Sequence, residues 1–169
     1  SASFTSYGGG GAIQLSFQNA NITCCEFHDN ECTYGSNICL FTVFGGNLNA
    51  QLHIHNCTIT FSNPSPDKAK CSIFIKKSQG GSSKYSIQNN QFIGDAVDNT
   101  YHIINGSLTV TDKYKNTFVF EGNCLQSSKE LRTIFDEDLQ NQIDSTKPLE
   151  ELISFCKVDD EGGNDGDSS

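Results

Sequence analysis

Apolar residues recur along this chain with a period of about 32 residues, a length typical of solenoid repeats. Each copy follows a pair of glycines and begins with isoleucine, and a bulky apolar residue comes five positions later. The three copies are Ile22-x-x-Cys25-x-Phe27-x-x-Asn30, Ile54-x-x-Cys57-x-Ile59 and Ile87-x-x-Asn90-x-Phe92-x-x-Asp95, after Gly10-Gly11, Gly45-Gly46 and Gly80-Gly81. Such a period, built from short β-rich pieces, indicates a solenoid, because each repeat buries its apolar side only against its neighbours.

The spacing inside each copy predicts a corner in the chain. Side chains alternate between the two faces of a strand, so Ile22 and Cys25 would lie on opposite faces of one continuous strand. Both are apolar, and a two-residue corner between two strands turns both of them inward. The corner residues would be Thr23-Cys24, His55-Asn56 and Gln88-Asn89 in successive repeats. Corner-linked strands stacked with this period predict an all-β chain, a parallel β-helix with three short sheets and about three to four coils.

Short runs rich in Ile, Phe, Thr and Tyr, bounded by turn residues, predict the individual strands. They cover residues 12–17, 22–27, 38–44, 51–61, 72–76, 85–92, 101–104, 108–111 and 117–120. So many short strands would also suit a β-sandwich, but the repeat favours the β-helix. A last, shortened repeat runs from Phe118 through Phe120 to Asn123. We align Phe118 with the Cys25 position and Asn123 with the position of Asn30 and Asp95.

The cysteines follow the same period. Cys25 and Cys57 are one period apart in sequence number (57 − 25 = 32), and so are Cys39 and Cys71 (71 − 39 = 32). Matching positions in neighbouring coils lie about 4.8 Å apart, inside the range of roughly 4.4 to 6.8 Å between Cα atoms that a disulfide tolerates. Each pair is interpreted either as a disulfide between coils or as a ladder of small apolar side chains. Asn90 would continue the first column as an inward amide that must bond to backbone.

The composition indicates an oxidising compartment. Eight cysteines in 169 residues are many, none of them forms a CxxC motif, and we predict neither a metal site nor a cofactor. Asn21, Asn56 and Asn105 begin N-glycosylation sequons. The sequence shows no initiator Met, signal peptide or long apolar run, so we expect a mature or excised piece of a secreted or surface protein, without a membrane-spanning segment. A net charge of −9 argues against nucleic acid as a partner.

After Asn123 the pattern changes. Leu131, Ile134, Leu139 and Ile143 recur at helical spacing, and a second short helix is predicted from 148 to 158, with Leu149, Leu152, Ile153 and Cys156 on one face. These helices would cap the open end of the solenoid, where strand edges and core are otherwise exposed. The predicted organisation is therefore repeats over 1–125, a C-terminal α-helical cap over 126–158 and an acidic, Gly/Ser-rich tail over 159–169.

Two of these motifs carry a family resemblance. Gly10-Gly11-Ala12-Ile13 followed by Phe27-His28-Asp29-Asn30 resembles the GGAI and FxxN pair of the polymorphic membrane proteins, with a second FxxN at Phe120-Glu121-Gly122-Asn123. The other Gly-Gly copies lack Ala-Ile, and Asp95 replaces the Asn of the third copy. The resemblance covers about residues 8 to 123. It implies a right-handed β-helix that is displayed at a cell surface and used in adhesion.

Candidate catalytic residues are few. A lyase-like site needs clustered acids for Ca²⁺ with a basic residue, and Arg132, the sole arginine of the sequence, lies outside the repeats. Asp95 and Asp98 come nearest to the paired carboxylates of a glycoside hydrolase, but Asp95 occupies a structural turn position. We therefore predict no catalytic residues. A β-helix enzyme acting on polysaccharide is the alternative.

The remaining candidates concern binding. His53 and His55 share one strand face and would be joined by His28 in a metal site, although histidines on a solvated face are the commoner situation. Exposed tyrosines would form a sugar- or protein-binding stripe, with Tyr34, Tyr85, Tyr101 and Tyr114 as its members. A third hypothesis is self-association through the N-terminal coil by strand addition. The leading prediction is a non-enzymatic structural or adhesive module that binds a protein, a glycan or further copies of itself.

Overall fold

A computed structural model describes residues 11–15, 19–32, 34–42, 51–68, 70–77, 82–95, 101–108, 117–127 and 153–157. This part of the chain is all β and contains no helix. Its strands are β1 (Ile13–Leu15), β2 (Asn19–Thr23), β3 (Glu26–His28), β4 (Ile38–Thr42), β5 (Gln51–His55), β6 (Thr58–Ser62), β7 (Cys71–Lys77), β8 (Lys84–Gln88), β9 (Gln91–Asp95), β10 (His102–Leu108), β11 (Thr117–Glu121), β12 (Cys124–Ser127) and β13 (Ser154–Phe155).

The strands form three parallel sheets that the chain visits in turn. The first sheet has the order β1-β4-β7-β10, the second β2-β5-β8-β11 and the third β3-β6-β9-β12-β13. All neighbouring strands are parallel. This stacking is compatible with a β-helix or solenoid, as predicted, and each passage through the three sheets is called a coil below.

The second sheet keeps the predicted period. Asn19 pairs with Gln51, Gln51 with Lys84 and Lys84 with Thr117, so the paired sequence numbers differ by 51 − 19 = 32, 84 − 51 = 33 and 117 − 84 = 33. The first sheet does not keep it. Ile13 pairs with Ile38 and Ile38 with Ile73, and these differences are 38 − 13 = 25 and 73 − 38 = 35. The connections on either side of the first sheet therefore absorb the variation in coil length.

Inward-facing side chains stack in columns to make the core. Ile22, Ile54, Ile87 and Phe120 form the central column of the second sheet, and Phe27, Ile59, Phe92 and Leu125 that of the third. Each fully buried side chain of this size stabilises the fold by roughly 1.5 to 3 kcal/mol. Register corrects the alignment of the last repeat: Phe118 pairs with Tyr85, and Phe120 continues the isoleucine column. Asn123 occupies the position that matches Asn90 in the preceding coil, at a sequence separation of 33. It does not occupy the position of Asn30 and Asp95.

The predicted corner between the second and third sheets is confirmed in three coils, and the fourth coil has the same corner. Cys24, Asn56, Asn89 and Gly122 have φ values of 54°, 55°, 56° and 65°. A single left-handed residue turns the chain sharply, and Asn and Gly are the residues that adopt this conformation at least cost. The corners fill positions 24–25, 56–57, 89–90 and 122–123, and the first three lie one residue later than predicted.

Backbone strain at this corner gives a first prediction. Asn56 is exposed and left-handed, so Asn56→Val is expected to lower the free energy of unfolding by about 1 to 2 kcal/mol. Asn56→Gly is expected to leave it nearly unchanged. Both variants remove the same sequon, so the difference between them in urea denaturation reports the backbone alone. Equal stabilities of the two variants would contradict a left-handed Asn56.

One glycine and one asparagine of the first repeat, Gly11 and Asn30, have structural roles. A side chain at Gly11 would collide with the Ser36 carbonyl, which explains why the first repeat has glycine there. Asn30 donates from Nδ2 to Oδ1 of Asn37 at 2.8 Å. Gly10 and the other two glycine pairs lie outside the described residues, and so does the side chain of Asp95.

The predicted helix over 148–158 is wrong where the structure describes it. Residues 154 and 155 form β13, which pairs with β12 through Cys124↔Ser154 and Leu125↔Phe155. A disulfide joins Cys124 to Cys156, with 4.8 Å between their Cα atoms. An exposed edge of the third sheet and a covalent link thus outweigh the local helical pattern. The other predicted helix and the acidic tail lie outside the described residues.

Candidate functional site

The outer side of the second sheet is the most regular surface that the structure describes. We call it the polar face; it consists of Asn19, Asn21, Thr23, Gln51, His53, His55, Lys84, Ser86, Gln88, Thr117, Val119 and Glu121. These twelve positions alternate with the inward core positions of β2, β5, β8 and β11, as strand geometry requires. Apart from Lys84 and Glu121 the face carries no full charge when its histidines are neutral, and amides, hydroxyls and imidazoles dominate it.

A chain of hydrogen bonds crosses three coils of the polar face. His55 Nε2 lies 3.0 Å from Ser86 Oγ, which donates to Gln88 Oε1 at 2.9 Å. Gln88 Nε2 in turn donates to Glu121 Oε2 at 3.3 Å. The single hydroxyl proton of Ser86 is used toward Gln88, so His55 must be the donor to Ser86. The chain therefore runs from an imidazole N–H to a carboxylate, and each donor polarises the next bond.

The histidines only partly meet their prediction. His53 and His55 share the polar face, with ring centroids 5.6 Å apart in an edge-on arrangement. His28 belongs to β3 in the third sheet, where its Nε2 lies 3.3 Å from Oε2 of Glu26. Within the described ranges, no three His, Cys, Asp or Glu side chains are grouped so as to hold a metal ion. The structure thus does not bring the three histidines together.

Cys25 and Cys57 occupy the same place in successive coils, with Asn90 and Asn123 continuing what we call the corner column. The thiol of Cys57 donates to the Ile22 carbonyl of the preceding coil at 3.6 Å. Asn90 Nδ2 makes the same bond to the Ile54 carbonyl at 2.9 Å, as the sequence predicted for this amide. Both cysteines carry thiols in this structure, which corresponds to the ladder interpretation.

Cys39 and Cys71 are not at matching positions, so that part of the prediction is wrong. Cys39 pairs with Phe74, which lies three residues beyond Cys71 in β7. Three residues of strand separate two points by roughly 10 Å, whereas Cα atoms more than about 7 Å apart cannot be bridged without backbone movement. Their sequence interval misleads because the coil step in this sheet is longer than the standard period. Burial, followed by the nearby Cys71 and Cys32 thiols, raises the pKa of the Cys39 thiol.

The prediction of a stripe of exposed tyrosines is wrong for two of its four members. Tyr85 and Tyr101 are fully buried. Burial raises the pKa of Tyr85 to about 12. The Tyr101 ring stacks on Phe61 with 4.8 Å between centroids, and its hydroxyl lies 3.2 Å from Ser36 Oγ and 3.0 Å from Ser72 Oγ. Tyr34 is 42% exposed and Tyr114 lies outside the described residues, so no stripe is formed by the tyrosines that the structure shows.

The other candidate residues are spread over different surfaces. Asn21 and Asn56 are exposed, on the polar face and at a corner, whereas Asn105 is half-buried within β10. Asp95 ends β9 opposite Ser62, and Asp98 is not described. The described segments contain no helix of the length and apolar character that crossing a bilayer requires.

Two features of the structure follow from the repeat period but were not predicted from the sequence. Cys124 and Cys156 have a sequence separation of 32, the same interval as Cys25/Cys57 and Cys39/Cys71. His55, Gln88 and Glu121 fall in one column once the coil step is set to 33, and that alignment would have indicated the hydrogen-bonded chain.

Comparison with known proteins gives no match: no family model, no curated protein and no solved structure is similar to this chain.

Proposed function

We propose that this chain is a structural or adhesive module of a secreted or cell-surface protein, and that it binds a protein or a glycan through the polar face. The observation that carries the proposal is the regular array of donors and acceptors across four coils, tied together by the chain from His55 to Glu121. Side chains held in this way lose little freedom on binding, so more of the contact energy appears as affinity.

Several observations support the fold and location in this proposal. Connections between parallel strands of one sheet are right-handed in nearly all proteins, so a right-handed β-helix is favoured. The polymorphic membrane protein type rests on the resemblance of its sequence motifs alone. The disulfide between Cys124 and Cys156 is compatible with an oxidising compartment. Asn56 is exposed at a corner outside the polar face, as a glycan acceptor has to be.

The chemistry of the polar face suits an uncharged polar ligand. Asn, Gln, His and Thr side chains offer both donors and acceptors, which complement the hydroxyls of a glycan or the peptide groups of a protein. One cation and one carboxylate, Lys84 and Glu121, leave the face without a strong field of either sign. A face that runs over four stacked strands also allows an extended ligand to contact several coils at once.

Binding by paired surface variants tests this proposal. Gln51→Ala/Lys84→Ala removes two exposed side chains of the polar face, and Ser62→Ala/Gln126→Ala removes two from the outer side of the third sheet. Fluorescent multimers of each would be applied to an oligosaccharide array and to immobilised fibronectin, laminin and collagen. We expect the first variant to bind about tenfold more weakly or worse, and the second to bind like the unmodified chain.

Four outcomes would overturn the proposal. Equal loss in both variants would exclude the polar face as the site, and absence of binding to every probe would remove the adhesive role. Cleavage of a polysaccharide panel that disappears in Asp95→Asn would establish the enzymatic alternative. Concentration-dependent light scattering by the unmodified chain, without binding to any probe, would favour self-association instead.

A further inference from the structure

Three thiols meet at the corners of the first two coils. Cys24 is exposed, Cys25 is half-buried and Cys57 is 2% exposed. Cys24 takes the left-handed corner conformation, and Cys25 follows it as the first member of the corner column. The thiol of Cys25 donates to the Thr23 carbonyl at 3.2 Å. The Cys57 sulfur lies 3.4 Å from the His55 carbonyl oxygen, which shares the single thiol proton with the Ile22 carbonyl, so both thiols have the same local partner in their own coil.

Register places Cys25 directly against Cys57. Thr23 pairs with His55 before the corner and Glu26 pairs with Thr58 after it. The Thr58 N–H donates to the Cys25 carbonyl at 3.0 Å, so the coils remain hydrogen-bonded through the corner itself. Neighbouring parallel strands are about 4.8 Å apart, a separation within the roughly 4.4 to 6.8 Å that Cα atoms of a disulfide span.

The two thiols of this pair differ in their exposure to solvent. Cys25 is partly open to solvent whereas Cys57 is not, so an external reagent reaches Cys25 first. Burial, the largest cause, raises the pKa of the Cys57 thiol, which makes Cys57 the slower of the two to react.

We propose that Cys25 and Cys57 are a redox-active thiol pair that low-molecular-weight disulfides convert into a disulfide between the first and second coils. The Cys25 thiolate attacks one sulfur of a disulfide such as oxidised glutathione, forms a mixed disulfide and releases one glutathione thiolate. The Cys57 thiolate then attacks the Cys25 sulfur and releases the second glutathione. The two protein thiols lose two protons and two electrons, and one glutathione disulfide becomes two glutathione thiols.

Cys39 and Cys71 provide an internal control, because they have the same separation in sequence but different register. Both pairs meet the same reagent in the same molecule. Cys39 and Cys71 are both buried, whereas Cys25 is partly exposed. Selective oxidation of Cys25 and Cys57 therefore follows from register and exposure together and not from cysteine content. This inference is independent of any ligand of the polar face.

The test uses the full chain with its Cys124–Cys156 disulfide intact. Oxidised glutathione is added over a range of pH, the remaining thiols are alkylated, and chymotrypsin, which cleaves after Phe27 and Phe61, separates Cys25 from Cys57. We expect two of the six thiols to become resistant to alkylation, with a cross-linked peptide pair from 18–27 and 53–61. The rate should rise with pH, because a thiolate is required at both steps.

Variants distinguish this pair from its neighbours. Cys24→Ser and Cys39→Ser should still form the cross-link, whereas Cys25→Ser and Cys57→Ser should not. A cross-link that is lost in Cys24→Ser would assign the reaction to Cys24 and overturn the proposal. So would alkylation of all six thiols after oxidation, or a Cys39–Cys71 cross-link formed as fast as the Cys25–Cys57 one.

Discussion

Replacement of Asn90 by alanine is expected to lower the free energy of unfolding by about 3 to 5 kcal/mol. The Asn90 side chain is 1% exposed and bonds to three groups. Its Oδ1 accepts from the Cys57 N–H at 2.9 Å, and its Nδ2 donates to the Ile54 carbonyl at 2.9 Å and to Asn123 Oδ1 at 3.0 Å. Alanine would leave a buried N–H and a buried carbonyl without these partners, and each such loss costs about 1 to 3 kcal/mol.

Urea denaturation measures this effect, and Asn19→Ala is the matched control. Asn19 is exposed on the polar face, and its loss should change stability by no more than about 0.5 kcal/mol. Asn90→Asp separates the acceptor role from the donor role. A carboxylate keeps the bond from Cys57 but faces two acceptors, so its pKa rises on folding and its penalty grows as the pH rises above about 4. Equal stability of Asn90→Ala and Asn19→Ala would contradict a structural ladder.

Removal of the disulfide by Cys124→Ala/Cys156→Ala is expected to release residues 153–157 from the third sheet. The disulfide closes a sequence separation of 32, for which loop entropy gives a stabilisation of about 4 kcal/mol. Without it, β13 retains backbone bonds from Ser154 N–H to Asn123 and from Cys156 N–H to Leu125, at 3.3 and 3.0 Å, together with the buried Ile153. A strand of two residues with a solvent-exposed Phe155 does not stay docked on so few contacts.

Hydrogen exchange at residues 154 and 156 detects this release. These amides should exchange far faster in the double variant, while those of β5 and β8, in the middle of the second sheet, keep their protection. Cys24→Ser, which removes an exposed thiol at the opposite end, should change neither set. Unchanged protection at 154 and 156 in the double variant would show that β13 is held by packing alone.

The stacked part of the fold was predictable because it rests on local spacing. Ile22, Ile54 and Ile87 each precede a two-residue corner, and the corner is the same in every coil. Side chains alternate between the two faces of a strand, so the position of the corner determines which residues face inward. Distant parts of the chain do not change this assignment. The inward amide of Asn90 followed from the same parity.

Features that depend on connection length could not be predicted in this way. Cys39 and Cys71 are separated by the standard period, yet the longer connection between β4 and β7 pairs Cys39 with Phe74, so sequence interval and register disagree. In the last segment, Leu149, Leu152, Ile153 and Cys156 have helical spacing, but a short apolar pattern does not distinguish a helix from a strand. An available sheet edge and a cysteine partner decided between them.

The hydrogen bonds that close the corners have one direction along the stack of coils. The Cys57 N–H is bonded by the Asn90 side chain and the Asn90 N–H by the Asn123 side chain, always from the coil that follows. The N–H groups of Asn56 and Asn89 likewise donate to carbonyls of the following coil. The corner at Cys57 is therefore complete only when the coil that contains Asn90 is in place. Each coil thus depends on its successor for the bonds that close its corner.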